Sequence, residues 1–352
     1  MNAVVDDYPA IPLQHPAAWG GPVGSGRIRV APEDFQVFEV PLATPCGEGE
    51  HAWLQVRKRN SNTAWVAEQL AKFAGVAPSA VSYAGLKDRH AVTEQWFSVQ
   101  LPGRPDPDWT ALQQDDFQVL GARRHQRKLK TGALKGNRFR LRVREVAADR
   151  GALENRLQQI QRGGFPNYFG EQRFGLRGGN LDAALSLFQQ PGRRVPRARR
   201  GIYLSAVRSA LFNRVLAARV EAGLWNTVMP GDALQLEGKS ACFVAASPDD
   251  DILQRVQALE LHPTGPLCGE GDSLCRGAAL DFESEQLQCY QGWIDGLRGM
   301  RLAAARRALR AVARDMRWRA EVDGSWLLEF YLPAGSYATT VLAELLTIGE
   351  TA

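Results

Sequence analysis

Hydrophobic positions recur along this chain in two ways, at every second residue, as in a strand, or at every third or fourth residue, as in a helix. Segments of the two kinds are interspersed from one end of the chain to the other. Alternation on both sides of Pro32, between residues 27 and 40, predicts two short strands joined at a turn. Apolar residues at helical spacing between Ser61 and Gly75 predict a helix that begins at a polar cap and ends at glycine. Strands and helices mixed in this way predict an α+β fold.

Two apolar runs, 81–84 and 93–101, flank a polar loop that carries Asp88 between Lys87 and Arg89. The pattern predicts strand, loop and strand. Opposite charges nearby favour the ionised form of a carboxyl group, so Asp88 is expected to be charged at neutral pH. A positioned carboxylate can act as a nucleophile or a base, and the alternative is a solvated turn with a surface ion pair.

The most basic part of the chain precedes Glu145 and ends in strict alternation. Arg138, Arg140, Arg142 and Arg144 alternate with Phe139, Leu141 and Val143. This pattern predicts a half-buried strand with an arginine face, which suits contact with phosphates. Arg123 and Arg124 belong to the same basic tract. The alternative is a solvated edge strand protected by its charge.

A glycine-rich segment, 163–175, combines Tyr168 and Arg173 with Phe169 and Phe174. These side chains can stack on RNA bases, or they can form an aromatic core between domains, and the pattern leaves both roles open. Further on, residues 193–200 predict a basic loop. An alanine-rich and arginine-rich stretch, 300–316, predicts a helix with a basic stripe that contains Arg306, Arg307, Arg310 and Arg314.

Composition narrows the function classes. A chain of 352 residues is long enough for two domains, and it contains no run near the roughly 18 apolar residues of a membrane helix. No signal peptide is evident, and the five scattered cysteines form no Cys-x-x-Cys pair, which favours a reducing cytosol and no metal. The net charge of +5 and the clustered arginine predict a nucleic-acid partner. Motifs of phosphate-loop, zinc-protease, esterase and dinucleotide-binding proteins are missing.

The loop around Asp88 reads GLKDRHAVTEQWFSV and resembles the catalytic-aspartate motif of the TruD family of tRNA pseudouridine synthases. Four further blocks are similar to blocks of that family: APEDFQVFEV, LKGNRF, NYFGEQRFG and LPAGSYAT. Two positions depart from the family pattern. Arg29 stands where the family usually has lysine, and Tyr337 stands where it usually has phenylalanine, which adds a hydroxyl that needs a partner if the site is dry.

The resemblance implies a pseudouridine-synthase catalytic domain with a largely antiparallel sheet, made of residues 1–162 and 312–352. A family-specific domain, residues 163–311, would be inserted in it. It implies that Asp88 is the catalytic residue. The residues expected to bind the substrate nucleotide are Phe35, Asn137, Phe139, Tyr337, Arg29, Lys87 and Arg89. Those expected to bind RNA elsewhere are Arg123, Arg124, Arg138, Arg140, Arg142, Arg173 and Tyr168.

The implied reaction is isomerisation of a uridine to pseudouridine in tRNA, at uridine 13 of the D arm, after the target base is flipped out. No cofactor is expected, since bonds break and form on one substrate. We expect a cytoplasmic monomer with tRNA as its partner and no protein partner. Two other classes stay open: a non-catalytic RNA-binding protein or RNA chaperone on the same fold, and a glycosylase that releases free uracil.

Overall fold

The structure is a computed structural model, and it describes residues 7–190 and 192–350. The first six residues of the Pro- and Gly-rich N-terminal segment lie outside the described residues. The chain forms two units, each built from separated segments. Unit 1 contains the residues up to Val23, Arg150–Val312 and Ser336–Leu346, and unit 2 contains Gly24–Asp149, Ala313–Gly335 and the residues from Thr347 onward.

The strands are β1 (Gly24–Ile28), β2 (Phe35–Pro41), β3 (His51–Arg59), β4 (Val81–Tyr83), β5 (Val92–Gln100), β6 (Phe117–His125), β7 (Leu134–Ala148), β8 (Phe165–Pro166), β9 (Asp232–Leu236), β10 (Cys242–Ala245), β11 (Leu261–Leu267), β12 (Ala305–Ala308), β13 (Arg310–Ala311), β14 (Arg314–Ala320), β15 (Trp326–Pro333) and β16 (Thr347–Glu350). The helices are α1 (Thr63–Ala74), α2 (Arg150–Gly163), α3 (Gly179–Gln189), α4 (Arg197–Glu221), α5 (Asp250–Gln257), α6 (Gly277–Leu287), α7 (Gln291–Gly299) and α8 (Ala338–Leu345).

Unit 2 is organised around one large sheet, whose main path runs in the order β14-β15-β7-β2-β5-β3-β6. The pair of β2 and β5 is parallel, as is the pair of β1 and β16, and the other described pairs of this sheet are antiparallel. The predicted α+β class with a largely antiparallel sheet is therefore confirmed. The two strands predicted within 27–40 are present as β1 and β2, although β1 pairs with β7 and β16 and not with β2. The two strands predicted within 81–101 are present as β4 and β5, which pair with each other.

Helix α1 covers one face of the sheet in unit 2. Its apolar side chains, including Val66 and Leu70, pack with Leu54, Val56 and Phe97 of β3 and β5 in a fully buried cluster. The helix ends where Gly75 takes a left-handed conformation, with φ near 60°, and its N–H caps the last turn. The packing fixes the start of α1 next to the loop that carries Asp88.

Unit 1 is organised around the long helix α4, most of whose residues between Leu204 and Val220 are buried. A small antiparallel sheet in the order β10-β9-β11-β12 packs against α4 through β11. Unit 1 also contains the two-stranded pair of β13 and β8. The predicted inserted domain, 163–311, falls inside unit 1, which also takes in α2 and α8. The predicted boundaries themselves stay a prediction.

Two predictions of local structure are wrong. The stretch 300–316 is not a helix, because residues 305–308, 310–311 and 314–316 lie in β12, β13 and β14. Ladder hydrogen bonds with β11 and β8 override the helix propensity of its alanines and arginines. The basic loop predicted at 193–200 ends earlier than expected, since α4 begins at Arg197. Within the described ranges, no helix combines the length and the apolar character needed to cross a bilayer.

Candidate active site

Asp88 lies on the loop between β4 and β5, and neighbouring elements of unit 2 hold this loop in place. The buried hydroxyl of Thr63, the first residue of α1, accepts a hydrogen bond from the Lys87 N–H at 3.1 Å and donates one to Gln95 at 2.9 Å. The Gln95 amide in turn donates to the carbonyl of Gly85 at 3.2 Å. The side chain of Asp88 keeps 32% of its surface exposed, so a ligand in solution can reach it.

Arg29 approaches the carboxylate of Asp88, with Nη2 3.3 Å from Oδ2. Its guanidinium also lies over the ring of Phe35, 4.2 Å from the ring centre. The backbone of Arg29 has φ near 58°, in the left-handed region that costs a non-glycine residue about 1–3 kcal/mol. Strain of this kind occurs at functional sites, but other non-glycine residues of the chain also have positive φ, so the site role of Arg29 stays a prediction.

Lys58 holds the backbone of Asp88 from the other side. Its ammonium is fully buried and donates to the carbonyl oxygens of Ser61 at 2.7 Å and Asp88 at 2.8 Å. Burial lowers the pKa of Lys58 to about 8, although the nearby Asp88 charge acts in the opposite direction. Lys58 is not among the site residues predicted from the sequence. Leu54, Val56 and Lys58 occupy every second position of a predicted strand, so their side chains lie on the same face as one another. A lysine on the apolar face of a strand is the feature of the sequence that indicates a buried lysine.

The two cations next to Asp88 in sequence do not contact its carboxylate as expected. Lys87 instead pairs with Glu39 of β2 at 2.5 Å, and both side chains are almost fully buried. Arg89 is exposed, and no ion pair between it and Asp88 is present among the described residues. Arg29 contacts the carboxylate of Asp88 and Lys58 contacts its backbone carbonyl, and the substrate-binding roles of Lys87 and Arg89 stay predictions.

One face of the sheet of unit 2 brings together several residues predicted to bind the target nucleotide. Side chains alternate along a strand, and the register pairs Val37 with Phe139 and Glu39 with Asn137, so these residues share a face with Phe35. The rings of Phe35 and Phe139 meet edge to face, with centres 6.3 Å apart. Both rings are buried, with 2% and 8% of their surface exposed.

Asn137 offers an unused hydrogen-bonding group on this face. Its side-chain oxygen is buried, and it has no hydrogen-bond partner among the described residues. Most buried polar atoms in proteins have a hydrogen-bond partner, so an exception calls for an explanation such as a role in ligand binding. Asn137 is therefore suited to receive a hydrogen bond from a polar ligand.

The arginine face predicted on β7 is present, but it lies on the opposite face of the sheet from Asn137 and Phe139. Each of its arginines has a carboxylate partner: Arg138 pairs with Asp315, Arg140 with Glu329, Arg142 with Asp323 and Arg144 with Asp34. The strand is also not an edge strand, because β7 is paired with β2 and β15. The alternative of a protected edge is therefore wrong, and contact of these arginines with RNA stays a prediction.

Arg123 and Arg124 differ in their surroundings. Arg124 donates to Asp106 at 3.0 Å and to the carbonyl of Arg104 at 2.6 Å, which ties β6 to the segment that follows β5. Arg123 is exposed. Of the two residues, Arg123 is the one with a side chain available to a phosphate without the loss of an ion pair.

The remaining predicted residues, Tyr168, Arg173 and Tyr337, belong to unit 1. Tyr168 has 6% of its surface exposed, stacks on His15 and donates to the carbonyl of Pro16 at 3.2 Å. Arg173 lies over the ring of Phe169 at 5.4 Å, and the ring of Tyr337 meets that of Phe169 at 6.4 Å. Tyr168 is thus a core residue of unit 1 in this structure, and the RNA-binding roles of the three stay predictions.

Among the described residues, no three histidine, cysteine, aspartate or glutamate side chains lie close enough to hold a metal ion together. The chemistry that the described site of unit 2 offers is that of a reachable carboxylate beside a guanidinium. An exposed carboxylate held in this way can attack an electrophilic carbon or accept a proton.

Comparison with solved structures identifies the class of fold. The crystal structure of a protein from Methanosarcina mazei, provisionally assigned as tRNA pseudouridine synthase D (TruD), superposes with a TM-score of 0.70 and covers 94% of this chain and 95% of that one. The two sequences are 23% identical, so this likeness establishes the fold alone.

Sequence comparison identifies the family. The profile of the family described as tRNA pseudouridine synthase D (TruD) matches residues 18–182 and 180–345. The protein named tRNA pseudouridine synthase D of Methylococcus capsulatus (strain Bath) is 51% identical over 330 residues, which are 94% of this chain and 93% of that protein. The protein of the same name from Nitrosococcus oceani is 48% identical over 344 residues, which are 96% and 95% of the two chains. The chain belongs to the tRNA pseudouridine synthase D family, a family of isomerases, and the resemblance stated from sequence is confirmed.

Proposed function

We propose that this protein converts a uridine of tRNA to pseudouridine, at uridine 13 of the D arm, with Asp88 as the residue that bonds to the nucleotide. The observation that carries the assignment of Asp88 is its geometry: a reachable carboxylate beside Arg29, with its own backbone held by the buried Lys58. Membership of the family and the names of the relatives support tRNA as the substrate. We propose that the reaction takes place in the cytoplasm.

The proposed reaction begins with extrusion of the target uridine, because a stacked base cannot reach a carboxylate on a protein loop. Asp88 then forms a covalent bond with the nucleotide, which allows the bond between the sugar and N1 of the base to break. The base turns and rejoins the sugar through C5, and the bond to Asp88 breaks. The proton on C5 is lost to solvent and N1 gains a proton, so that the product is an isomer of uridine. Uridine and pseudouridine are isomers, so the chemistry requires no external oxidant or group donor.

The face of the sheet that carries Phe35, Asn137 and Phe139 is the proposed base site. The buried oxygen of Asn137 would accept a hydrogen bond from N3–H of uracil, and this bond would satisfy an atom that has no partner in the described part of the chain. Arg29 would balance the charge of Asp88 before the covalent step. Tyr337 belongs to unit 1, and its proposed contact with the nucleotide rests on the family resemblance.

Asp88→Asn is the direct test of this proposal, because it keeps the shape of the side chain and removes the nucleophile. We expect tritium release from tRNA labelled at C5 of uridine to fall by at least about a thousandfold, since removal of a nucleophile commonly has effects of this size or larger. Asp115→Asn, at an exposed aspartate of unit 2, is the matched control and should retain full activity.

Product analysis separates the proposed reaction from the other two classes. Pseudouridine mapped at position 13 of tRNA would support the proposal in full, and pseudouridine elsewhere would overturn only the position. Free uracil would indicate a glycosylase. Binding of tRNA by the wild-type protein without any change in the base would indicate a non-catalytic RNA-binding protein.

A further inference from the structure

One short segment of unit 1, the arginine segment (residues 193–200), carries a cluster of positive charge without carboxylate partners among the described residues. Its arginines are exposed, and none of them forms an ion pair in the described part of the chain: Arg193, Arg194, Arg197, Arg199 and Arg200. This distinguishes them from the arginines of β7, each of which has a carboxylate partner. An unpaired arginine can bind a phosphate without first losing an internal partner. We therefore expect the arginine segment to bind a polyanion more readily than the arginines of β7 do.

A cavity of about 380 Å³ lies beside the arginine segment within unit 1. One face of α4 lines it, because Arg197, Gly201, Leu204 and Arg208 recur at intervals of three or four residues. Arg200 and Ser205 lie on the same face, and Phe169, Leu267 and Leu302 complete an apolar wall. A volume of this size is within the range of small-ligand sites, and the combination of an apolar wall with guanidinium groups matches a base with its attached phosphate.

Arg208 adds a donor that has no partner. Its Nη2 donates to the carbonyls of Leu267 at 3.0 Å and Ala303 at 3.1 Å, whereas its buried Nε has no hydrogen-bond partner among the described residues. An unsatisfied buried donor costs free energy that an incoming acceptor would recover. A phosphate oxygen or a base carbonyl is such an acceptor.

We propose that this cavity binds one unstacked nucleotide of the RNA substrate, with its phosphate on Arg197 and Arg200 and its base against the apolar wall. The proposal rests on the proposed function in that the ligand is the same RNA. It assigns a second nucleotide site, separate from the one at Asp88, and this second site contributes to affinity and takes no part in the bond changes. Its loss should therefore raise KM and leave kcat unchanged.

The first test removes charge. Arg200→Gln is expected to weaken binding of an unmodified tRNA transcript by at least about fivefold, and kcat at saturating tRNA should stay within twofold of wild type. Arg162→Gln, which removes one exposed arginine of α2 in the same unit, is the matched control and should change the Kd by less than twofold. Equal increases in Kd for the two variants would mean that only the net charge of the protein matters for binding, and they would overturn the assignment of the site.

The second test fills the cavity and keeps every charge. Gly201 is exposed and helical, and a Cβ at this position would meet open space, so Gly201→Phe is compatible with the fold. We expect at least a fivefold rise in the Kd for the transcript. Gly179→Phe, at another helical glycine of unit 1 with open space around it, should bind as the wild type does. Thermal melting checks that both variants are folded.

Wild-type affinity in Gly201→Phe would overturn the nucleotide site, whatever the result for Arg200→Gln. The proposed function fails separately, if the wild-type protein leaves the uridines of the transcript unchanged. Because the variants are compared by binding as well as by turnover, a failure of catalysis and a failure of this site are distinguishable.

Discussion

Three cationic side chains surround Asp88, and each has a different role. Arg29 contacts the carboxylate, Lys58 holds the backbone carbonyl, and Lys87 pairs with Glu39. Lys58 is the most unusual of the three, since it is a fully buried lysine that donates to two backbone carbonyl oxygens. A buried ammonium is costly, so its retention beside Asp88 indicates that it positions the loop.

Replacement of Lys58 should affect turnover more than binding. Lys58→Met keeps most of the apolar length of the side chain and removes both hydrogen bonds, so we expect kcat to fall by about tenfold or more while the Kd for tRNA stays within twofold. Misplacement of a reacting group by about 1 Å is enough for an effect of that size. Lys72→Met, at an exposed lysine of α1, should have no effect on either quantity. A rise in Kd with an unchanged kcat would contradict the positioning role.

The pKa of Lys58 also predicts a pH dependence of stability. Burial lowers this pKa from 10.5 to about 8 in the folded protein. Between these values the unfolded chain binds more protons than the folded one, so the Lys58 contribution to stability rises as the pH increases from about 8 to 10.5. The melting temperature of the wild type relative to Lys58→Met should therefore increase over this interval. A constant difference in melting temperature across the interval would contradict the lowered pKa.

At the level of single residues, the sequence was sufficient to predict a site residue that lies in one contiguous motif. It was not sufficient to predict contacts between residues that are distant in the chain. The loop around Asp88 carries its own signature, and its placement between two strands was predicted correctly. The prediction that Lys87 stabilises the charge of Asp88 assumed that side chains adjacent in sequence are also adjacent in space. Adjacent side chains project in different directions, and Glu39, 48 residues away, is the nearer partner of Lys87.

At the level of elements, the stretch 305–311 shows how tertiary contacts override local propensity. Its alanines and arginines favour a helix in isolation, but the segment forms strands whose arginines point inward. Arg306 binds Glu283 at 2.6 Å, and Arg310 donates to the carbonyls of Val256 and Leu261. Partners distant in sequence supply the acceptors that make this burial possible, and a single segment of sequence does not reveal them.

The pair of Arg306 and Glu283 gives a test at this level. Both side chains are more than nine-tenths buried, so Arg306→Met would leave an unpaired buried carboxylate and should lower the free energy of unfolding by about 3–5 kcal/mol. The double variant Arg306→Met with Glu283→Met should recover most of the loss, because no buried charge remains. Urea denaturation measures both values. Arg298→Met, in the exposed pair with Asp295, should cost less than about 1 kcal/mol. If the double variant were as unstable as Arg306→Met, the loss of stability could not be attributed to the unpaired carboxylate of Glu283.

At the level of the whole molecule, a net charge of +5 understates the charge available to a polyanion. The arginines of β7 are neutralised by carboxylates, whereas those of the arginine segment are not. Total charge and clustering along the sequence could not separate these two groups. The carboxylates that distinguish them, such as Asp315 and Glu329, are distant in sequence from the arginines with which they pair.

Binding of tRNA should depend steeply on salt, as expected when arginines displace counterions from phosphates. For each phosphate neutralised, the slope of log K against log salt concentration should be about −0.7 to −0.9. Titrations of the wild-type protein with an unmodified tRNA transcript between low and physiological salt measure this slope. A flat dependence would mean that phosphate contacts contribute little to binding.

The sheet of unit 2 is assembled from segments far apart in the chain, and this has a consequence for its biogenesis. Strand β7, which carries Asn137 and Phe139, is paired along Gly136–Val143 with β15, which is synthesised almost two hundred residues later. During synthesis on the ribosome, the edge of β7 that pairs with β15 therefore stays unpaired while α4 and the rest of the intervening segment are translated. Since unpaired strand edges promote misassembly, nascent chains arrested before β15 are expected to be especially dependent on chaperones.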